Sequence, residues 1–496
     1  MQVEDDKSEA ERTWYLHPQL NKSEIVYNSD GHLVGASLQV LIDMVTSHDR
    51  CPDALFIRSF FYNFRMFMEP LVLANMLKQR FNLSPPEHQD THEPLTTEEL
   101  ELWQNDVRDP VRLRVYSVIK SWFEAYFDGA QDKEAARTLL PFVTSEMDLA
   151  MPVPARQMTE LIELKLMTLT VSDTEVQNAI CHSVEQAQDN QITLSPALIA
   201  APCPSSTAST PIRNVFRLAR LHHSHGPAST STMASHATTS SRLTRIAVYR
   251  MDPQEIANQL TLMESTLFYA IPPSELIATQ KKKSSTPVLH VRAMVHRSTL
   301  LVYWISNTIL DELDTKARVH AIKFWIKACL QLNNFNTLMT IRCALNSASI
   351  ARLKRTWDLA MRSTKYKTMY HTIDTVADSK RNFATYRKCL RQAVPPGLPF
   401  LGIFLSDMVF VDEGNLDLRF STNGDLSLIN FDKYVRMTQL LDQTIIRFQQ
   451  VSYYKIKEIK EIQRYLLDCI ESVNDNSEEQ IYSKSLEIEP RIIDDD

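Results

Sequence analysis

Glycine is scarce in this chain: eight in 496 residues. Loops that cradle nucleotide phosphates need closely spaced glycines so that the backbone can approach the ligand. Neither GxGxxG nor a GxxxxGK loop occurs, which argues against a nucleotide held in a loop of the chain's own. Paired cysteines are also missing. Cys51, Cys181, Cys203, Cys329, Cys343, Cys389 and Cys469 are scattered and odd in number, with no CxxC, so they read as reduced core thiols. Excess charge is absent, at −7 net, and this gives no support for nonspecific nucleic-acid binding. No uninterrupted apolar run reaches membrane-spanning length, because Ser406 and Asp407 break the best candidate. The opening MQVEDDKSEAER is acidic and does not read as a secretory signal. Neither GxSxG nor HExxH is present, and His290, His296, His320 and His371 stand alone, so no hydrolytic constellation emerges. No period of 30 to 50 residues marks a repeat array.

What is present is helical. Few glycines, with abundant Leu, Ile, Met and Gln in a chain 44% apolar, predict an all-α protein too long for a single core. Five segments are expected. Residues 1–30 read as a polar arm, and 31–195 as a first helical domain. In GASLQVLIDMVTSH, Leu38, Leu41, Ile42 and Val45 make one helical face, with helical patterning from about Leu33. Pro70 is expected to start a helix. Residues 196–245 are rich in Ser, Thr, Pro and His and read as a flexible linker, where His222, His223 and His225 lack ligand-spaced Cys or acid. Residues 246–492 form a second helical domain, opened by an Asp252–Pro253 cap. Lys281 to Lys283 read as a solvated loop. LDLRFSTNGDLSLI predicts a small β-hairpin turning at Asn423–Gly424, after which Asn430 caps the next helix. An acidic tail, 493–496, ends the chain.

Two stretches resist a purely structural reading. In LNNFNTLMTIRCALNSASIARLKRTW, residues 332–357, Asn333, Asn334, Asn336 and Asn346 interrupt an apolar helical pattern. Buried unpaired asparagine is costly, so these residues either cap helices or hydrogen-bond a partner. The other is PFLGIFLSDMVFVDEGN, residues 399–415, an apolar rod that ends on Asp412 and Glu413.

Both stretches, with LINFDK and the C-terminal SLEIEPR, resemble the signature segments of the Ras-type guanine-nucleotide exchange factors, the family of Son-of-sevenless and the fungal Ras activators, the fungal members most. GASLQVLIDMVTSH with FIRSFFYNFRMFM resembles the accompanying Ras-exchanger motif domain. The matches cover roughly residues 31–130 and 246–491. The resemblance implies a helical hairpin, about 400–415 and 430–448, that projects from the second domain and pries open a Ras-family small GTPase. The first domain would brace it. Val409 and Glu413, spaced i, i+4, would lie on one face of the hairpin, the first filling space near the magnesium ion and the second entering where a phosphate sat. Met294, His296, Leu345, Asn346, Trp357, Phe383, Ser406, Asp407 and Arg436 would contact the GTPase, with Trp357 and Phe383 as aromatic anchors. The family pattern implies no covalent chemistry and so no enzyme in that sense, no cofactor and no metal of its own. It also implies a cytoplasmic location with recruitment to the membrane where the GTPase resides. Three departures bear on the strength and choice of GTPase. Val409 stands where leucine is usual, Ala351 where a larger ring is common, and His296 where a longer basic chain is common. The alternatives are a noncatalytic GTPase-binding scaffold, and an exchange factor for Rap or Ral rather than Ras.

Overall fold

A computed structural model describes residues 14–16, 21–87, 94–169, 248–280, 288–329, 332–421, 423–450, 453–473 and 478–490. The expected linker, the acidic tail, most of the polar arm, His222, His223, His225 and Lys281 to Lys283 lie outside these residues. The described residues gather into two compact units. One holds those up to 169, 277–280 and Met408–Leu441; the other holds 248–276, Val288–Asp407 and those from Asp442 onward.

The first unit begins with two short strands, β1 (Ile25–Tyr27) and β2 (Leu33–Ala36). The helical pattern expected from Leu33 therefore starts later. Ser37 accepts a hydrogen bond from the Val40 N–H and opens α1 (Leu38–Val45), while 33–36 is extended. Asp53 caps α2 (Ala54–Phe67) through the Leu55 and Phe56 N–H groups. Phe56, Phe60 and Phe64 recur every four residues along α2 and are buried. Pro70 opens α3 (Pro70–Phe81) at its first turn, where its missing N–H costs nothing. Two further helices of this unit are α4 (Asp109–Ala125) and α5 (Gly129–Phe142). Asp132 is fully buried between them and is satisfied by Arg65 (2.5 and 3.0 Å) and the Trp122 indole (2.8 Å). A buried carboxylate is tolerated only with such partners.

The second unit is built on α6 (Pro253–Ala270), α7 (Leu289–Leu310), α8 (Thr315–Cys329) and α9 (Phe335–Leu345). Asp252 caps α6 as expected, accepting from the Glu255 N–H. The rings of Trp304 on α7 and Trp325 on α8 meet edge to face at 5.4 Å. Next come α10 (Lys354–Met361), α11 (Thr364–Val376) and α12 (Lys380–Gln392). Near the C-terminus lie Lys460–Glu471 and Glu478–Ile488. Just past the latter, Glu489 of SLEIEPR is buried and accepts from the Thr356 hydroxyl (2.6 Å) and from the N–H groups of Arg355 and Thr356 (both 3.2 Å). This segment satisfies orphan donors at the start of α10.

The predicted rod is α13 (Leu401–Glu413), followed by β3 (Leu418–Phe420), β4 (Ser427–Ile429) and α14 (Phe431–Leu441). Strands β3 and β4 pair antiparallel, Leu418 opposite Ile429 and Phe420 opposite Ser427. Asn423–Gly424 does sit at their turn, with Gly424 at φ +80°, but in a wider loop than a two-residue one. The Ser421 N–H donates to Leu426 O and the Gly424 N–H to Ser421 O. The β-hairpin is also not isolated. Ala36 of β2 pairs with Ile429, giving a four-stranded antiparallel sheet in the order β1–β2–β4–β3. The fold is thus all-α with one small sheet, half of it drawn from residues 25–36.

Candidate functional site

The tip of α13 separates two adjacent carboxylates. Lys433, almost fully buried on α14, forms ion pairs with Asp412 (2.6 Å) and Asp417 (2.5 Å). Burial opposes its charge, but hydrogen bonds to the two carboxylates outweigh that and hold it above the ordinary lysine value. Glu413 is exposed and has no ion pair among the described residues. Asp412 is therefore a structural acid, and Glu413 the free one. The helix stops at once beyond it. The Gly414 N–H donates to Phe410 O, and a Cβ at Gly414 would lie 2.6 Å from that oxygen, so only glycine permits this approach. The Asn415 amide caps Val411 O (2.8 Å).

Along the same helix Leu401, Ile403, Phe404 and Met408 are buried, as expected of a greasy rod. Val409 is buried with them, only 7% exposed, whereas Phe410 is 55% exposed. The apolar partner expected beside Glu413 is thus covered in this structure. The returning helix α14 is held from α2. The Asn63 amide, fully buried, donates to Thr438 Oγ1 (2.9 Å) and to Tyr434 O (3.3 Å). Phe56 packs on Phe431 at 5.1 Å between ring centroids, and Phe67 on Tyr434 at 5.0 Å. Arg436, on the same helix, is exposed and, among the described residues, pairs with its neighbour Asp432 (2.8 Å).

In the second unit the structure sorts the expected contact residues. Met294 and Leu345 are buried to 1% and 0% exposure and belong to the packing rather than to any open face. Asn346 ends α9 and is half-buried. Its amide donates to Tyr370 Oη and accepts from Arg342 Nε and Nη2 (both 3.1 Å). Tyr370 packs against Trp357 at 5.0 Å, and the Trp357 indole donates to Ile350 O (2.9 Å). Asn346 and Trp357 therefore belong to one half-exposed polar-aromatic cluster, joined through Tyr370. Phe383 and Ser406 line a second feature, a small cleft shared with Arg342, Met339 and Phe400. The Ser406 hydroxyl donates to Gly402 O (2.9 Å). Asp407 is not free. It receives both terminal nitrogens of Arg387 at 2.5 and 2.7 Å. His296 is half-buried, on the same helix as Met294.

Of the other asparagines, Asn333 is exposed and donates to Val394 O (3.2 Å), and two turn inward. Asn334 and Asn336 are buried and donate to Glu264 on α6 (2.8 and 3.0 Å), with Thr337 Oγ1 at 2.6 Å. Asn334 also caps α9 through the Thr337 N–H (2.8 Å). For this pair the partner-binding reading gives way to capping and to satisfying a buried carboxylate. Burial pushes Glu264 above the ordinary carboxylate range, and these three donors pull it partly back.

Sequence reading missed Lys433, Asn63, Arg387, Tyr370 and Glu264. Lys433 stood inside LINFDK, and a single lysine three residues past an asparagine gives no hint that it pairs with Asp412 and Asp417. Glu264 looks like any helical glutamate until α9 lies beside it.

These elements describe an α-helical protein with a sheet-supported helical hairpin that ends in one unpaired acid. Residues 255–435 match the RasGEF domain, and residues 32–144 match the RasGEF N-terminal motif. The chain thus carries a RasGEF domain together with a RasGEF N-terminal motif. It is similar to cell division control protein 25 of Saccharomyces cerevisiae, 28% identical over 489 residues, covering 96% of this chain and 28% of that protein. It is also similar to Ras guanine nucleotide exchange factor A of Dictyostelium discoideum, 27% identical over 466 residues, with 92% of this chain and 65% of that one. A third relative is Ras guanine nucleotide exchange factor efc25 of Schizosaccharomyces pombe, 37% identical over 251 residues, with 49% of this chain and 24% of that one. The chain spans from about a quarter to about two thirds of the length of these relatives. No helix among the described residues is long and apolar enough to cross a membrane.

Proposed function

We propose that this chain is a guanine-nucleotide exchange factor that opens the nucleotide site of a Ras-like small GTPase with the α13–α14 hairpin. The observation that carries the reading is the unpaired, exposed Glu413 at the end of a rod whose neighbouring acid is neutralised by Lys433. A carboxylate offered this way can occupy the donors that otherwise hold a phosphate. Competition for those donors is an effective lever, since a nucleotide held at picomolar strength has about 16 kcal/mol of binding free energy to offset. No covalent bond changes. The hairpin binds the emptied GTPase better than the loaded one, and by linkage nucleotide weakens the exchange factor in return. Each tenfold in release rate needs about 1.4 kcal/mol of such preference. Asn346, Trp357, Phe383, Ser406, His296 and Arg436 are proposed to contact the GTPase. Met294 and Leu345 support them from beneath, and Asp407 acts through Arg387. The partner is proposed to be Ras, in the cytoplasm and at the membrane that carries it.

The test is release of a fluorescent GDP analogue from Ras, Rap and Ral, with and without the 496-residue chain. Acceleration on at least one is expected, and none on any of the three would end the proposal. The burial of Val409 favours a second reading, a scaffold that binds a GTPase and opens nothing. Equal capture of loaded and emptied GTPase would identify the scaffold.

A further inference from the structure

Strand β3 ends the sheet order β1–β2–β4–β3, so one of its edges has no strand beside it among the described residues. Its bonds to β4 run through odd-numbered residues. The Asn430 N–H donates to Asp417 O (2.9 Å) and the Ser421 N–H to Leu426 O (2.8 Å), with Arg419 opposite Leu428 between them. By antiparallel alternation, the backbone groups of Leu418 and Phe420 point to the open edge. Their side chains are uncovered too, Leu418 at 53% and Phe420 at 73% exposure, and Leu416 just before the strand is at 81%. An edge that carries apolar side chains and neither lysine nor proline is a template for another strand.

We propose that two copies of this chain pair through this edge, β3 against β3, antiparallel, with Leu418 opposite Leu418 of the second copy. The segment is self-complementary in that register. A two-fold pairing centred on Leu418 sets Asp417 opposite Arg419 in both directions and Leu416 opposite Phe420. Centring one residue either way would face Asp417 with Asp417 or Arg419 with Arg419, and would turn the wrong backbone groups to the edge. Both charges are available. Arg419 donates to Val34 O (3.3 Å) but has no ion pair among the described residues. The Asp417 side chain is 72% exposed even with Lys433 beside it, which leaves it open to a second cation. Leu418, pointing outward, exchanges both backbone bonds with its counterpart. Any extended segment could use the open backbone groups, but a second copy brings the matching order of charges with it. So short a strand buries less than the about 1,200 Å² of a standard interface, and association is expected at micromolar concentration. The pairing does not depend on the exchange reading.

The experiment is sedimentation velocity of the 496-residue chain from low to high micromolar concentration, with thermal melting of each variant. A monomer that converts to a dimer is expected. Leu418→Lys sets like charges opposite each other and should weaken the dimer at least about tenfold. Leu149→Lys is the control, since Leu149 is 88% exposed but lies outside the sheet, and it should leave the dimer unchanged. Should Leu418→Lys lower the melting temperature, Phe420→Lys takes its place and is expected to weaken the dimer as much. Hydrogen exchange reads the edge directly. The Leu418 and Phe420 amides should be protected at high concentration and exchange freely at low concentration. A chain that stays monomeric throughout overturns the proposal. So does a dimer that the β3 variants leave intact, one that Leu149→Lys weakens equally, or one whose β3 amides are no slower to exchange than in the monomer.

Discussion

The buried amide of Asn63 donates to the hydroxyl of Thr438, 375 residues later, at 2.9 Å. It links α2 to the returning helix of the hairpin, and the same amide reaches Tyr434 O. The first half of the chain thus holds a lever coded in the second half.

Asn63→Leu should therefore loosen α14 without touching its tip. It removes the hydrogen bonds that Thr438 Oγ1 and Tyr434 O accept from the amide and leaves them the bond between themselves (2.9 Å), and a typical intramolecular hydrogen bond contributes about 0.5–1.5 kcal/mol. A lower melting temperature and slower GDP release are both expected. Thr438→Val should cost less in the Asn63→Leu background than alone, because both remove one hydrogen bond.

The two tip acids should separate cleanly by readout. Glu413→Ala is expected to leave melting unchanged, since Glu413 is exposed and unpaired, and to slow release by at least about tenfold. Asp412→Ala removes one of two partners from the buried Lys433 and should lower stability first. Stopped-flow release beside differential scanning calorimetry distinguishes them.

Arg387 holds two things at once. Its guanidinium grips Asp407 on α13 and also donates to Asn382 O (2.8 Å). Asn382 belongs to a left-handed stretch, Arg381 to Phe383, with φ of 52–55°. Such backbone costs roughly 1–2 kcal/mol per residue and persists only when its surroundings enforce it. Arg387→Ala should release that turn and displace Phe383. Faster hydrogen exchange is expected across 380–387 and 401–407, with slower GDP release.

The contribution of His290 to stability should fall as pH rises through neutrality. His290 Nδ1 lies 2.5 Å from Glu275 Oε1, and that hydrogen bond raises its pKa. A histidine raised on folding stabilises fully below its unfolded value, near 6.5, and loses that contribution as pH climbs through the raised one. Glu264, raised by burial, acts with the same sign from the ordinary carboxylate range upward. Glu275→Gln should flatten the first dependence and Glu264→Gln the second. Melting curves of wild type and each variant across pH 4–9 check both, and a difference between them that does not shrink as pH rises would contradict the assignment.

Much of this was legible in residue order. The apolar face of α1, the first-turn prolines at 70 and 253, and the apolar run of α13 are local patterns, and local patterns survive without neighbours. The turn at Asn423–Gly424 was legible as a turn but not in its width, which strand pairing sets. Strands β1 and β2 were not legible, because three or four residues of extended chain carry no period of their own and form only against a partner. Asn334 and Asn336 read equally as helix caps or as a partner-binding surface until α6 brought Glu264 against them.

Sequence alone determined that the protein is helical, that it carries the segments of its family in order, and that a greasy rod ends in acid. Those properties are written in composition and short-range spacing. Tertiary structure alone decided which acid is free, which apolar side chain reaches water and which asparagines turn inward. Each depends on groups far apart in the chain: Lys433 selects Glu413 by neutralising Asp412, and the packing around α13 covers Val409 and leaves Phe410 exposed.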